Sequence, residues 1–219
     1  MRLTILYRDS QLLVCEKPSG TLSEGDSPKS LPRILGEQLG AEGEPTDIFP
    51  VHRLDKETTG LMVFARTTSA AGALSRSITQ GNFHKEYLAL VCGRPTEASG
   101  CLTDLLFYDR ARGKSFVVDR TRKGVKEAIL SYTLMGNDER HSLLRITLHT
   151  GRTHQIRAQF ASRGMPLAGD RRYGAPPEGM DLMLHAATLS FPHPVTKKNV
   201  CFTSVPPWEN LILKKLEIF

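Results

Sequence analysis

No run in this sequence approaches the roughly 18 consecutive apolar residues that a helix needs to cross a bilayer. The apolar opening from Met1 to Tyr7 breaks at Arg8-Asp9, too early for the apolar core of a secretory leader. The expectation is a cytoplasmic protein. Cysteine is scarce: Cys15, Cys92, Cys101 and Cys201 are scattered with no C-x-x-C pair, which argues against a zinc site and a disulfide framework. The seven histidines include no H-E-x-x-H or other close ligand spacing, so no metal is expected. A G-x-x-x-x-G-K-[ST] loop, a G-x-G-x-x-G fingerprint and a G-x-S-x-G elbow are also missing, and the chemistry left is that of carboxylates and arginines without a cofactor. No internal repeat, low-complexity stretch or linker divides the chain, so residues 1–219 read as one domain with room for two lobes.

The composition is that of a globular protein, with 40% hydrophobic and 24% charged residues. Net charge is +6 and the pI is near 9.3, an excess that favours a polyanionic partner. Its distribution is uneven. Arg110, Arg112, Lys114, Arg120, Arg122, Lys123 and Lys126 face a single acid, Asp119, and this segment accounts for the whole excess. The same residues also suit a solvated basic hairpin that keeps a sheet edge from aggregating.

Short strands are predicted at Ile5–Tyr7 and Leu12–Cys15, then a loop rich in Ser, Gly and Pro to about Ser30. Ser30 as cap, Pro32 in the first turn and the stripe Leu31, Ile34, Leu35, Leu39 predict a helix ending near Gly40. A second helix is predicted over 68–80 before Gly81-Asn82, and Thr150 to Ala161 reads as a turn into a third helix closed by Arg163-Gly164. Strands are predicted at 61–65, 83–91, 143–148, 182–191 and 200–203, with strands and basic turns between 100 and 134. A last helix is expected to carry Trp208, Leu211, Ile212 and Leu216. The class is α+β with a largely antiparallel sheet.

The most concentrated chemistry lies in His52-Arg53-Leu54-Asp55-Lys56-Glu57-Thr58-Thr59-Gly60, just before the apolar run Leu61–Ala65. A carboxylate there, with a guanidinium and hydroxyls beside it, suits nucleophilic or acid/base work. It equally suits a polar turn in which Asp55 caps its own backbone. Arg157 falls at the edge of an apolar helical stripe, where it reaches either a cleft or solvent. Arg152, Thr153 and His154 sit at a helix start, fit for an anion or for simple capping. Tyr87 alternates along a strand, as a core aromatic also does.

Together these pieces resemble the RluA-type pseudouridine synthases from about Leu3 to Pro206. The likeness rests on Lys17-Pro18-Ser19-Gly20, His52 through Gly60, Lys85-Glu86-Tyr87, Thr150 to Arg157, Gly169-Asp170 with Tyr173, and Leu184-His185-Ala186. Thr59 stands where the family often has Ser, and Leu130 where Thr is frequent. The resemblance implies a pseudouridine synthase fold, starting directly in the catalytic domain without the S4 domain of many relatives. It implies an RNA isomerase acting on uridines of rRNA or tRNA. Asp55 would be the catalytic carboxylate, Arg157 its paired arginine, Tyr87 the residue stacked on the base and Leu184 the pocket floor. The uridine must leave the stack to be reached, and Arg53 would fill the space it leaves. Lys85, Arg152, His154, Arg112, Lys114, Arg122, Lys123 and Lys126 would contact RNA, which sets affinity and salt dependence. No apolar stripe is left over, so a monomer is expected. Two other readings compete: a non-catalytic RNA-binding protein on the same fold, and a hydrolase pairing Asp55 with Glu57 or Asp170.

Overall fold

The computed structural model describes residues 1–210 and the backbone of 217–218, and the chain divides into two compact units. The first comprises Met1–Lys85 and His185–Pro206. Its sheet runs β1 (Ile5–Arg8), β2 (Leu12–Lys17), β4 (Thr59–Ala65) and β10 (Leu184–Pro192), with β3 (Phe49–Pro50) added to β4 and β11 (Asn199–Thr203) to β10. The β1–β2, β2–β4 and β10–β11 pairings are antiparallel, whereas β10 lies parallel to β4 through His185 opposite Thr59 and Ala186 opposite Gly60.

Every residue of β4 is buried, which explains its unbroken apolar run. Leu12, Val14, Leu61, Val63, Leu189 and Phe191 from the sheet pack with Ala70 and Leu74 of α2 (Thr68–Thr79) and with Phe83. Thr67 caps α2 by accepting the Ala70 N–H at 3.1 Å. In α1 (Leu31–Ala41) the apolar stripe is realised with Leu31, Leu35 and Leu39 buried. Ser30 does occupy the cap position, but its buried hydroxyl makes no cap hydrogen bond, so Pro32 and the stripe start this helix rather than the serine side chain. Strand β4 begins at Thr59, two residues earlier than expected; Gly60 within it has φ +110°, and a Cβ there would lie 2.4 Å from the Ala186 carbonyl oxygen. Only glycine lets the two strands approach so closely.

The second unit comprises Glu86–Leu184 and residues from Pro207 onward. Its sheet follows the order β5 (His84–Cys92), β9 (His141–Leu148), β8 (Val125–Asn137), β6 (Ser99–Asp109) and β7 (Lys114–Val118), all antiparallel. The short strand β12 (Glu217–Ile218) pairs with β8. One core cluster joins Leu90, Leu143, Ala168, Met183 and Trp208; another joins Leu106, Ala128, Ala158 and Tyr173. The third helix, α3 (Gln155–Ala161), follows the predicted entering turn, formed by Thr150–Thr153, with His154 left-handed at φ 54°. The expected last helix lies largely outside the described residues, with Glu209 and Asn210 its only described helical positions. Among the described residues, no helix is long and apolar enough to cross a membrane.

Candidate active site

In the first unit the Asp55 turn is fastened on both sides. Ser23 Oγ donates to the Leu54 carbonyl at 2.7 Å and accepts the Leu54 N–H at 3.0 Å. Thr58 N–H donates to the Asp55 carbonyl at 3.1 Å, closing a four-residue turn, and Gly20 N–H donates to Lys56 O at 2.9 Å. Lys17, only 1% exposed at the end of β2, places its ammonium on the carbonyls of Lys56 at 2.7 Å, Thr58 at 2.8 Å and Pro18 at 3.1 Å. Three charge-assisted hydrogen bonds offset the cost of burying that cation. Burial brings its pKa down to about 8, against the opposing pull of the Glu57 and Asp55 carboxylates. Asp55 itself is half-buried.

Just beyond the turn, Thr59 Oγ1 lies 2.8 Å from His185 Nδ1, and His185 Nε2 lies 3.1 Å from Ser204 Oγ. His185 is 2% exposed, and burial pushes its pKa down to about 4. His52 is neutral for the same reason, its pKa well below the ordinary value through burial and then the nearby Lys85 charge. Its Nε2 accepts the Val63 N–H at 3.1 Å, so the proton sits on Nδ1, which has no partner among the described residues.

In the second unit Arg157 is 3% exposed and grips Asp170 with two parallel hydrogen bonds, Nε to Oδ2 at 2.7 Å and Nη2 to Oδ1 at 2.9 Å. Its guanidinium carbon lies 5.2 Å from the Tyr173 ring centroid, and Lys114 Nζ lies 4.5 Å from the same ring. The Tyr173 hydroxyl accepts the Ser115 N–H at 2.8 Å and lies 3.1 Å from His154 Nδ1. Tyr87 is buried on β5 opposite Ile146, and Leu184 is buried at the start of β10.

The RNA pseudouridylate synthase profile matches residues 11–162. The chain belongs to the RNA pseudouridylate synthase family. It is 35% identical to an uncharacterized RNA pseudouridine synthase of Aquifex aeolicus over 94% of this chain and 70% of that one. It is 34% identical to the ribosomal large subunit pseudouridine synthase D of Xylella fastidiosa, over 88% of this chain and 62% of that one. A third relative, an uncharacterized RNA pseudouridine synthase of Bacillus subtilis, is 31% identical over 89% of this chain and 65% of its own length. The chain thus spans about two thirds of the length of these relatives. The fold is that of the human RNA pseudouridylate synthase domain containing 1, with a TM-score of 0.82, 22% identity and coverage of 99% of this chain and 89% of that one.

Against this synthase fold, the sequence expectations for single side chains fare unequally. Arg157 is no surface arginine, and Asp170, with both oxygens engaged by it, is poorly suited as the second acid of a hydrolase. At the start of α3, where the sequence suited an anion or simple capping, Gln155 Oε1 takes the Arg152 N–H at 3.0 Å and the helix has seven residues. The Arg152 side chain instead donates to the Glu127 carbonyl at 2.7 Å. Arg53 is exposed and paired with Glu24 at 2.6 Å, a contact worth about 0–1 kcal/mol and easily surrendered. Lys85 is half-buried, its pKa lowered by burial, with Nζ 5.5 Å from the Phe83 ring centroid. Arg112, Arg122, Lys123 and Lys126 are exposed around β7 and its turns, Arg122 lying over Phe107 at 4.6 Å.

Sequence reasoning assigned no role to Lys17, Ser23 or His185, and did not pair Arg157 with Asp170. A lysine closing an apolar strand before Pro-Ser-Gly, and a histidine inside the apolar run of β10, were the available signals.

Asp170→Asn is expected to cost about 3–5 kcal/mol, because it removes the negative charge that two hydrogen bonds hold against a buried guanidinium. Thermal unfolding would then show a Tm lower by roughly 10 °C, and an unchanged Tm would contradict the buried-pair reading. A second expectation concerns pH. His185 and His52 are neutral when folded, so below the ordinary histidine value of 6.5 the unfolded chain binds more protons. Their contribution is intact above that value and is lost as pH falls through it towards 4. For His185 alone the loss by pH 5 is about 2 kcal/mol. Tm should therefore drop by roughly 4–8 °C between pH 7 and 5, whereas a flat profile would contradict it.

Proposed function

We propose that this chain isomerises uridine in RNA to pseudouridine, with Asp55 as the catalytic carboxylate. In that reaction the N1–C1′ bond breaks, the base turns while bound, and C5 bonds to C1′. C5 gives up its proton and N1 gains one, so the product has the substrate's atoms and no cofactor is consumed. The observation that carries the reading is the Asp55 turn itself. Its backbone is fastened through Leu54, Lys56 and Thr58, and Asp55 is half-buried in the segment that resembles the family's catalytic motif. A fixed backbone under the carboxylate provides the orientation that such chemistry needs. Tyr87 is assigned the base, on which it would stack, and Leu184 the pocket floor. Arg157, already gripped by Asp170, is assigned a supporting charge.

RNA is the proposed partner, and large-subunit ribosomal RNA the first substrate to try, since one relative's name carries it. The exposed cations around β7 would supply phosphate contacts, which give affinity and salt dependence without sequence information. Target choice would then depend on the basic segment and the 21–30 loop, which borders an open cleft lined by Ser19, Gly20, Thr21 and Lys29.

Asp55→Asn is expected to abolish tritium release from C5-tritiated, unmodified RNA, with ribosomal and transfer RNA transcripts assayed in parallel. Its RNA affinity should stay within about threefold of the original chain. Normal turnover by that variant would overturn the assignment. Binding without tritium release by the unaltered chain would favour a binding protein, and free uracil as product would favour a hydrolase.

A further inference from the structure

The histidine of β10 belongs to a chain of hydrogen bonds whose direction is fixed by its ends. Ser204 Oγ donates to the Glu16 carboxylate on β2. A hydroxyl has one proton, so the same oxygen must accept from His185 Nε2–H at 3.1 Å. His185 Nδ1 then carries the lone pair and accepts the Thr59 O–H at 2.8 Å. The line Glu16, Ser204, His185, Thr59 crosses from β2 through the segment after β11 and β10 to the first residue of β4. It meets the backbone where β4 and β10 pair, His185 opposite Thr59, beside the Gly60–Ala186 approach that admits no side chain. The adjoining residue, Thr58, both donates its N–H to the Asp55 carbonyl and offers its own carbonyl to Lys17.

We propose that His185 and Thr59 are positioning residues for the reaction: the Glu16–Ser204–His185 chain holds Thr59, and through Thr58 it sets where the Asp55 carboxylate stands. The inference rests on the reading of Asp55 as the catalytic carboxylate. Orientation of a reacting group is sensitive, and a displacement of about 1 Å can cost on the order of a hundredfold in rate. The neutral state of the ring matters as well, because a protonated Nδ1 could no longer accept from Thr59.

The test compares Thr59→Val, which keeps the shape and removes the hydroxyl, with Thr59→Ser, which keeps the oxygen, and with His185→Phe. Tritium release under saturating and limiting RNA separates kcat from KM. Thr59→Val is expected to lower kcat by roughly 10- to 100-fold, with KM within about twofold and cooperative unfolding preserved, and Thr59→Ser to restore most of it. His185→Phe should resemble Thr59→Val, and imidazole 15N shifts of the unaltered chain should report a neutral Nε2–H ring at pH 7. Wild-type kcat for Thr59→Val, or an Nδ1–H ring, overturns the proposal. Should Asp55→Asn retain turnover, the reading of Asp55 fails instead. Loss of kcat in Thr59→Val without recovery in Thr59→Ser would mean that the hydroxyl is not what Thr59 contributes, and it too would overturn the proposal.

Discussion

The buried ammonium of Lys17 is the interaction on which the first unit's site depends. Three carbonyl groups from two separate segments converge on it, two of them from the turn that carries Asp55. A cation in that position is costly to desolvate, which its lowered pKa reflects, and the cost is offset only while all three carbonyls stay in place. The turn and the lysine therefore specify each other. Ser23 on one flank and Thr59 on the other confine the remaining freedom of the segment.

The second unit solves a related problem, a buried cation held by a carboxylate instead of by carbonyls. Arg157 is buried on a seven-residue helix too short to be held by its own hydrogen bonds alone, and Asp170 fixes it with two parallel contacts. Tyr173 lies beside that guanidinium and ties the 171–173 turn to β7 through Ser115. Here, too, a charged side chain is held by groups distant in sequence, 13 residues away for Asp170.

That distance explains what the sequence disclosed and what it concealed. Strand β4, helix α2 and the α1 stripe were legible because periodicity is local: seven consecutive buried residues and a repeat of leucines need no partner to be read. The Asp55 segment and the Arg157 segment were legible as motifs, since their residue types cluster within ten positions. Lys17 and His185 were not assigned roles, because partners as far as 41 and 126 residues away hold them and the local signals, a lysine closing a strand and a histidine in an apolar run, do not name those partners. At the helix start near 152–154 the sequence left an anion and simple capping both open, since a glutamine side chain, invisible to capping rules based on Ser, Thr and Asp, takes the Arg152 N–H. Parallel pairing of β4 with β10 was likewise beyond local signals, although Gly60 marked where the approach occurs.

The central claim is that Asp55 works because its backbone is clamped, and Lys17→Met tests it most directly. Methionine has nearly the same length but offers the Lys56 and Thr58 carbonyls no donor. Single-turnover tritium release should be measured at a temperature where the variant is folded, alongside RNA affinity. The account predicts a rate at least about 100-fold lower with affinity within about threefold. A folded Lys17→Met chain that turns over RNA at the original rate would contradict it.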